Sequence, residues 1–91
     1  MPVTVIIPPY MRAAASEARE VTLDGATVNE VVKKLEEKFP NMRNKLFDGG
    51  GNIKKFIRVY VNGKDANALQ GGDTPVADGD EISLVAAAFG G

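Results

Sequence analysis

The side chains that carry most enzyme chemistry are missing from this chain of 91 residues. It contains no cysteine, no histidine and no tryptophan. A thiol nucleophile, a disulfide framework, a cysteine–histidine zinc site, a catalytic triad and imidazole acid–base catalysis are therefore excluded. The groups that remain for chemistry are carboxylates, amines and the main chain itself.

Two kinds of short motif remain as candidate sites within the chain. Carboxylate pairs occur at Asp78 and Asp80, which flank a glycine, and at Glu36 and Glu37. General acid–base catalysis needs burial that turns rarely provide, and neither pair has EF-hand spacing, so we predict structural, solvated roles and no metal site. The glycines at 49–51 are expected to form a flexible loop, because the Lys-Ser or Lys-Thr of a phosphate-binding loop does not follow them.

The charged residues are distributed unevenly along the chain. Residues 1–32, 33–64 and 65–91 carry net charges of −2, +6 and −5, whereas the whole chain carries −1. The simpler interpretation is solvated faces of opposite sign, and the sharper one is an acidic end that steers a basic partner toward the C-terminus. We predict no nucleic-acid binding, although basic and aromatic residues cluster at Phe47, Lys54, Lys55, Phe56, Arg58 and Tyr60.

The last residues of the chain offer a different kind of chemistry. Small residues and Phe89 lead into a diglycine, Gly90-Gly91. The simpler interpretation is an unstructured stub. The alternative is a tail from Ala87 to Gly91 that reaches about 17 Å beyond a folded domain, with glycines that other backbones can approach closely. Such a tail can thread a narrow channel and present the Gly91 carboxylate to a nucleotide in another protein. We predict a domain over residues 1–86 and a flexible tail over residues 87–91.

One helix is strongly indicated by the sequence. Thr27-Val28-Asn29-Glu30 fits a capping box, and Pro40 gives a stop signal. Between them, apolar residues at helical spacing define one face: Val28, Val31, Val32, Leu35 and Phe39. A further short helical turn is expected between Asn41 and Phe47. The pattern leaves the conformation of residues 10–19 open.

Strand patterns surround this helix. Alternating or β-branched runs predict strands at 3–7, 20–23, 56–61 and 81–85, and Asn62-Gly63 predicts a hairpin with a short return strand near 64–66. This order predicts an α+β fold, in which a mixed sheet of four to five strands packs against one main helix. That pattern is the ubiquitin-like β-grasp. A ferredoxin-like sandwich would require a second long helix after residue 61, and the sequence shows none.

Three stretches then carry a family resemblance. They read F-I-R-V-Y-V-N-G at 56–63, G-G-D-T-P-V-A-D-G-D-E-I at 71–82, and Gly90-Gly91. Over essentially its whole length the chain resembles ubiquitin-like sulfur carriers of the ThiS/MoaD type. Within that group it is most similar to the carrier type of cysteine biosynthesis.

The resemblance implies that the chain is a cosubstrate and not an enzyme. In such carriers an adenylating enzyme of the ubiquitin-activating type uses ATP and Mg to convert the terminal carboxylate, here that of Gly91, to an acyl-adenylate. A sulfur donor then displaces AMP and leaves a thiocarboxylate. A sulfur-accepting synthase or transferase takes the sulfur into cysteine, molybdopterin (molybdenum cofactor) or thiamin biosynthesis. ATP and Mg are used by the partner, and this chain is expected to bind no cofactor.

A docking surface is expected beside the tail. In a β-grasp, strands one, five and three lie side by side, so the outward residues Ile6, Val85 and Tyr60 are expected to form one apolar patch. We predict that this patch binds the adenylating enzyme, with Arg58 at its rim. The tail residues predicted to contact partners are Ala88, Phe89, Gly90 and Gly91.

Two other functions stay open from the sequence alone. A ubiquitin-like modifier would share the activation step but attach Gly91 covalently to target lysines. A plain β-grasp interaction module would make no use of the diglycine. For all three, we expect a cytoplasmic chain with no membrane partner, because no signal-peptide pattern begins it and no run approaches the ~20 apolar residues of a membrane span.

Overall fold

Five strands and two α-helices lie in residues 2–86, the part of the chain that the computed structural model describes. The strands are β1 (Val3–Ile6), β2 (Glu20–Leu23), β3 (Ile57–Val61), β4 (Lys64–Asp65) and β5 (Glu81–Ala86), and the helices are α1 (Val28–Lys38) and α2 (Arg43–Leu46). Short 3₁₀ helices span Pro9–Ala15, Pro40–Met42, Ala66–Ala68 and Gly71–Asp73. Each predicted strand and helix is present, with ends shifted by one or two residues at most.

The strands form one mixed sheet in the order β2-β1-β5-β3-β4. β5 pairs in parallel with β1 and antiparallel with β3, and the other neighbouring strands are antiparallel. The predicted adjacency of the first, fifth and third strands is therefore confirmed. With α1 packed on one face of the sheet, the predicted ubiquitin-like β-grasp fold is confirmed as well.

Helix α1 begins and ends where the sequence predicts. The Thr27 hydroxyl oxygen accepts a hydrogen bond from the Glu30 N–H at 3.2 Å, and Glu30 Oε1 accepts one from the Ala26 N–H at 3.4 Å. These bonds satisfy N–H groups near the helix start. Pro40 follows the last turn, and Phe39 is half-buried against the core.

The core lies between α1 and the sheet. The three valines and Leu35 of α1 pack with Val5, Ile82 and Leu84, and all of these side chains are buried. Met11 and Met42 complete the core from the two 3₁₀ helices at Pro9–Ala15 and Pro40–Met42, and both are fully buried. The segment 10–19, whose conformation the sequence left open, is thus part of the packed domain.

The sheet has two ends, which differ in what they carry. We call the end where β5 stops the tail end and the opposite one the turn end. Because β3 is antiparallel to β5, β3 begins at the tail end, while the parallel strand β1 finishes there. The six residues of β5 span about 17 Å between the two ends.

Candidate docking surface

The tail end is where β5, which ends the described part of the chain, stops. β5 is held between β1 and β3, and its last residue, Ala86, pairs with Ile57. This central position fixes the point from which residues 87–91 begin. Ala88, Phe89, Gly90 and Gly91 lie outside the described residues, so their roles stay predictions, as does the domain boundary after residue 86.

The sheet face turned away from α1 holds the predicted apolar residues. The strand registers place Ile6, Ser83 and Tyr60 in one row across β1, β5 and β3. The expected continuous patch is therefore interrupted, because strand alternation puts the hydroxyl of Ser83 between Ile6 and Tyr60, which are both half-buried. Val85 lies one row nearer the tail end and is 41% exposed.

Arg58 lies beside the exposed end of this face. It sits directly opposite Val85 in the β3–β5 register, so it is the cross-strand neighbour of the most exposed residue of the predicted patch. Its Nη1 donates to Asp65 Oδ2 of β4 at 3.2 Å, and half of its side chain is exposed. Exposed pairs of this kind stabilise a fold weakly. The guanidinium consequently remains accessible to a binding partner.

Phe56 is a surface residue that the docking prediction missed. It lies two residues before Arg58 and is 39% exposed. Phe56 belongs to the turn that comes directly before β3, in which the Ile57 N–H donates to the Lys54 carbonyl at 3.0 Å. The Lys54 ammonium lies 5.6 Å from the centre of the Phe56 ring. The predicted strand begins at Phe56, whereas β3 begins at Ile57, so the signal for this exposed residue is the run of basic and aromatic residues at 54–56.

A second aromatic residue borders the tail end from the other side. Tyr10 follows β1 in the Pro9–Ala15 helix and is exposed, and the Lys45 ammonium lies 5.0 Å from its ring centre. The Arg12 side chain donates to the Ile7 carbonyl at 3.1 Å just beyond β1. Positive charge thus lies on both sides of β5 at its tail end.

Strand pairing decides where the charged segments come to lie. Asp78, Asp80 and Glu81 come at or just before the start of β5 and therefore lie at the turn end, whereas Lys54 and Lys55 precede β3 and lie at the tail end. The expectation of an acidic end near the C-terminus is wrong. The acidic turn precedes β5, so the whole length of that strand separates it from the tail.

The turn end is closed by a network between Asn62 and Asp80. Asn62 Oδ1 accepts from the Glu81 N–H at 2.9 Å, and Asn62 Nδ2 donates to Asp80 Oδ1 at 3.1 Å. Asp80 Oδ2 accepts from the Ala77 N–H at 2.8 Å. The hydrogen bond from Ala77, together with that from Asn62, holds the pKa of Asp80 below its ordinary value of 3.8. The V-N-G and D-G-D-E-I motifs therefore contact each other, and their roles are structural.

The other candidate motifs have structural partners too. Asp48 Oδ1 accepts from the N–H groups of Gly50 and Asn52 at 2.8 and 3.1 Å, which closes the glycine loop. Glu36 lies 3.9 Å from the Arg43 guanidinium. Among residues 2–86, no group of three or more acidic side chains is placed to hold a metal ion.

An open groove of about 700 Å³ lies on the helix side of the sheet. Its floor includes Ile57 and Val59, and its rim carries Lys33 and Arg43 as well as Glu36. Because both signs of charge occur on this rim, the groove favours no single class of charged ligand. None of the helices in the described part of the chain has the length and apolarity to cross a membrane.

Comparisons with known proteins agree with this fold. A family model described as the ThiS family matches residues 5–91. The chain is 32% identical to the sulfur carrier protein CysO of Mycobacterium tuberculosis, in an alignment that covers 100% of both chains.

Solved structures give the same picture. A chain in the crystal structure of the BexX/CysO complex of Amycolatopsis orientalis matches with a TM-score of 0.87 and 32% identity, covering 98% of this chain and 99% of that one. The solution structure of small archaeal modifier protein 1 from Methanosarcina acetivorans matches with a TM-score of 0.89 and 28% identity, covering 98% and 95%. These relatives are carriers and modifiers, which confirms the prediction that the chain is not an enzyme.

Proposed function

The chain belongs to the ThiS family, and we propose that it is a sulfur carrier whose reactive group is the α-carboxylate of Gly91. The observation that carries this proposal is the full-length similarity to the carrier CysO in a chain that has a diglycine after its central strand. With no thiol and no imidazole in the chain, a main-chain carboxylate is the natural place for its chemistry.

The proposed reaction has two steps, both carried out in the active site of a partner enzyme. In the first, a Gly91 carboxylate oxygen attacks the α-phosphorus of ATP, and pyrophosphate leaves with Mg²⁺. In the second, the sulfur of a sulfide donor attacks the acyl carbon, the bond from that carbon to the phosphate oxygen breaks, and AMP leaves. The chain ends as a thiocarboxylate, because one carboxylate oxygen has been replaced by sulfur.

Docking of the adenylating enzyme is proposed on the outer face of the sheet near the tail end. Val85 and Arg58 lie next to each other there, and Val85 is among the most exposed large apolar side chains. Ile6 and Tyr60 flank Ser83 one row further away and extend the same face. The Amycolatopsis orientalis relative CysO is found in a complex with BexX, which supports a carrier that works by docking.

The similarity to CysO favours cysteine biosynthesis as the pathway that receives the sulfur. A sulfur-accepting synthase or transferase would then bind the same tail after the activating enzyme has released it. Molybdopterin and thiamin synthesis are the other acceptor pathways that we consider. Since the activation step consumes ATP, the proposal places the chain in the cytoplasm.

Intact-mass spectrometry tests the proposal directly. The chain is incubated with ATP, Mg²⁺, sulfide and the adenylating enzyme of its own organism, with a matched sample that lacks ATP. We expect a mass gain equal to the difference between sulfur and oxygen, located in the C-terminal peptide and only in the sample with ATP. An unchanged mass, with an enzyme that is active on another carrier, would contradict the proposal.

A modifier function is the second candidate, and the similarity to an archaeal modifier protein supports it. It shares the adenylate but ends with an isopeptide bond between Gly91 and a lysine amine of a target. Affinity capture of a tagged chain from its own cells separates the two functions. Gly-Gly remnants on target lysines after proteolysis indicate a modifier, whereas a free thiocarboxylate indicates a carrier.

A further inference from the structure

The tail end joins exposed apolar surface to positive charge. Phe56 and Val85 are 39% and 41% exposed, and Arg58 lies opposite Val85 on the same face. The Lys54 ammonium lies over the Phe56 ring, the exposed Lys55 stands between them in the chain, and both lysines also line the end of the groove on the helix side of the sheet. We call these five residues the basic corner. They border the point where the chain leaves β5.

We propose that the basic corner docks on an acidic protein surface around the channel that receives the tail in the adenylating enzyme. This inference rests on the proposed function, and it adds the chemistry of the partner surface. An apolar centre with a charged rim is typical of protein interfaces, in which the centre supplies affinity and the rim supplies orientation and association rate. Phe56 and Val85 would form the centre, and the three cations the rim.

The surrounding charges support an acidic partner. The nearest carboxylates on the outer face are Asp65, which already pairs with Arg58, and Glu20, which lies on β2 two strands away from β5. On the groove side, Asp48 is a lining residue together with Lys54. The remaining carboxylates of the C-terminal segment, such as Asp78 and Asp80, lie at the turn end. The resulting dipole turns the tail end toward a negative surface and the turn end away from it.

Nucleic acid fits the basic corner less well than an acidic protein. A nucleobase would need an open aromatic face for stacking, but the Lys54 ammonium already lies over the Phe56 ring. The acidic turn end and the net charge of −1 would also repel a long polyanion. The exposed aliphatic side chain of Val85 would also find no apolar group to pack against on a phosphate backbone.

Two single charge reversals test the inference. Lys55→Glu alters the tail end, and Lys64→Glu alters an exposed lysine at the turn end by the same charge. ATP–pyrophosphate exchange by the adenylating enzyme gives kcat and the KM for the carrier at low and high ionic strength. We expect Lys55→Glu to raise KM about tenfold at low ionic strength with kcat unchanged, and Lys64→Glu to change it less than about twofold. The difference in KM between the two variants should shrink at high ionic strength because salt screens exposed charges.

The possible outcomes separate the inference from the proposed function. Equal KM values for the two variants, with normal exchange by the wild-type chain, would overturn the acidic docking surface alone. Absence of exchange with the wild-type chain would overturn both. If Lys55→Glu lost binding to a single-stranded DNA oligonucleotide but kept a normal KM, the basic corner would belong to nucleic acid and the inference would be wrong. Recovery of the normal KM by Lys55→Arg is expected, since charge is the property that matters.

Discussion

The two ends of strand β5 are built in opposite ways. At the turn end, the Asn62 and Asp80 side chains hydrogen-bond to each other and accept hydrogen bonds from neighbouring backbone N–H groups, and acidic residues lie close by in the chain. At the tail end, Phe56 and Val85 are exposed among cations. Two motifs of the family resemblance, V-N-G at 61–63 and D-G-D-E-I at 78–82, lie at the turn end, where they hold the sheet together. The residues proposed to bind partners are at the other end, so the motifs identify the fold more directly than the function.

The bonds of the turn end also fix the position of β5 within the sheet. Asn62 and Gly63 have φ angles of +51° and +86°, which fit the tight turn that joins β3 to β4. The Asn62 N–H donates to the Glu81 carbonyl at 2.8 Å, and the Thr4 N–H donates to the Asp80 carbonyl at 3.0 Å. These bonds tie β1, β3 and β5 together at the start of β5. Ala86, the last residue of β5, is therefore held in position by a strand whose first residues are fixed by these bonds.

Removal of Gly90 and Gly91 should have the largest effect on function and the smallest on the fold. We expect ATP–pyrophosphate exchange to disappear, because the carboxylate would end two residues short of the nucleotide. The thermal midpoint should stay unchanged, since the bonds described for the turn end and the core are all retained. Exchange assays and a thermal melt on the same preparation check both expectations.

The result of this truncation also decides between the carrier and a plain interaction module. A module that makes no use of its diglycine would keep all of its binding after the deletion. If the truncated chain still supported ATP–pyrophosphate exchange as the wild-type chain does, both the carrier function and the modifier function would be rejected. A chain extended by one alanine after Gly91 serves as the control for length, and it should also fail in the exchange reaction.

Tyr60→Ala combined with Val85→Asp should have the next largest effect. We expect the catalytic efficiency of exchange to fall about a hundredfold, because a buried interface would have to accept a carboxylate where an apolar contact belongs. Both residues face away from the core, so the circular-dichroism spectrum should be unchanged. Thr22→Asp is the matched control, as it adds an aspartate to the exposed edge strand β2. Normal exchange by the double variant would remove the outer face from the proposed interface.

At the turn end, Asn62→Ala should reduce stability and leave exchange intact. It removes the side-chain bonds to Asp80 and Glu81 and places an alanine at a φ of +51°, so we expect a loss of about 2 kcal/mol in unfolding free energy. Asn62→Gly loses the same bonds but accepts the positive φ, and it should cost about 1 kcal/mol less. Urea unfolding measures both values. Equal losses would show that the backbone angle contributes nothing.

Much of the fold could be predicted because its signals are local. The apolar spacing from Val28 to Leu35 defines α1, and Asn62-Gly63 defines the hairpin, without any knowledge of distant residues. The packing of Met11 could not be predicted, because the Pro9–Ala15 helix has no periodic apolar face and is specified by the core that it covers. Local pattern and tertiary packing thus account for different parts of the same domain.

The candidate site was harder to predict because it depends on strand pairing. The outward direction of Tyr60 and Val85 follows from alternation, but the position of Ser83 between Ile6 and Tyr60 follows from two registers at once. The antiparallel pairing of β3 with β5 also reverses the placement of charge that the linear sequence indicates. Long-range pairing therefore determines which charges lie beside the exposed apolar residues at the tail end.

The smallest predicted effect concerns acid and is confined to the turn end. Hydrogen bonds from the Ala77 N–H and the Asn62 amide lower the pKa of Asp80 below 3.8, so ionised Asp80 stabilises the fold at neutral pH. This contribution is fully present above 3.8 and is lost as the pH falls through the lower pKa of the folded state. The unfolding free energies of wild type and Asp80→Asn should converge in that acidic range, and they should converge less in the Asn62→Gly background. Parallel curves in urea titrations would show that the Asp80 carboxylate does not hold the turn end closed.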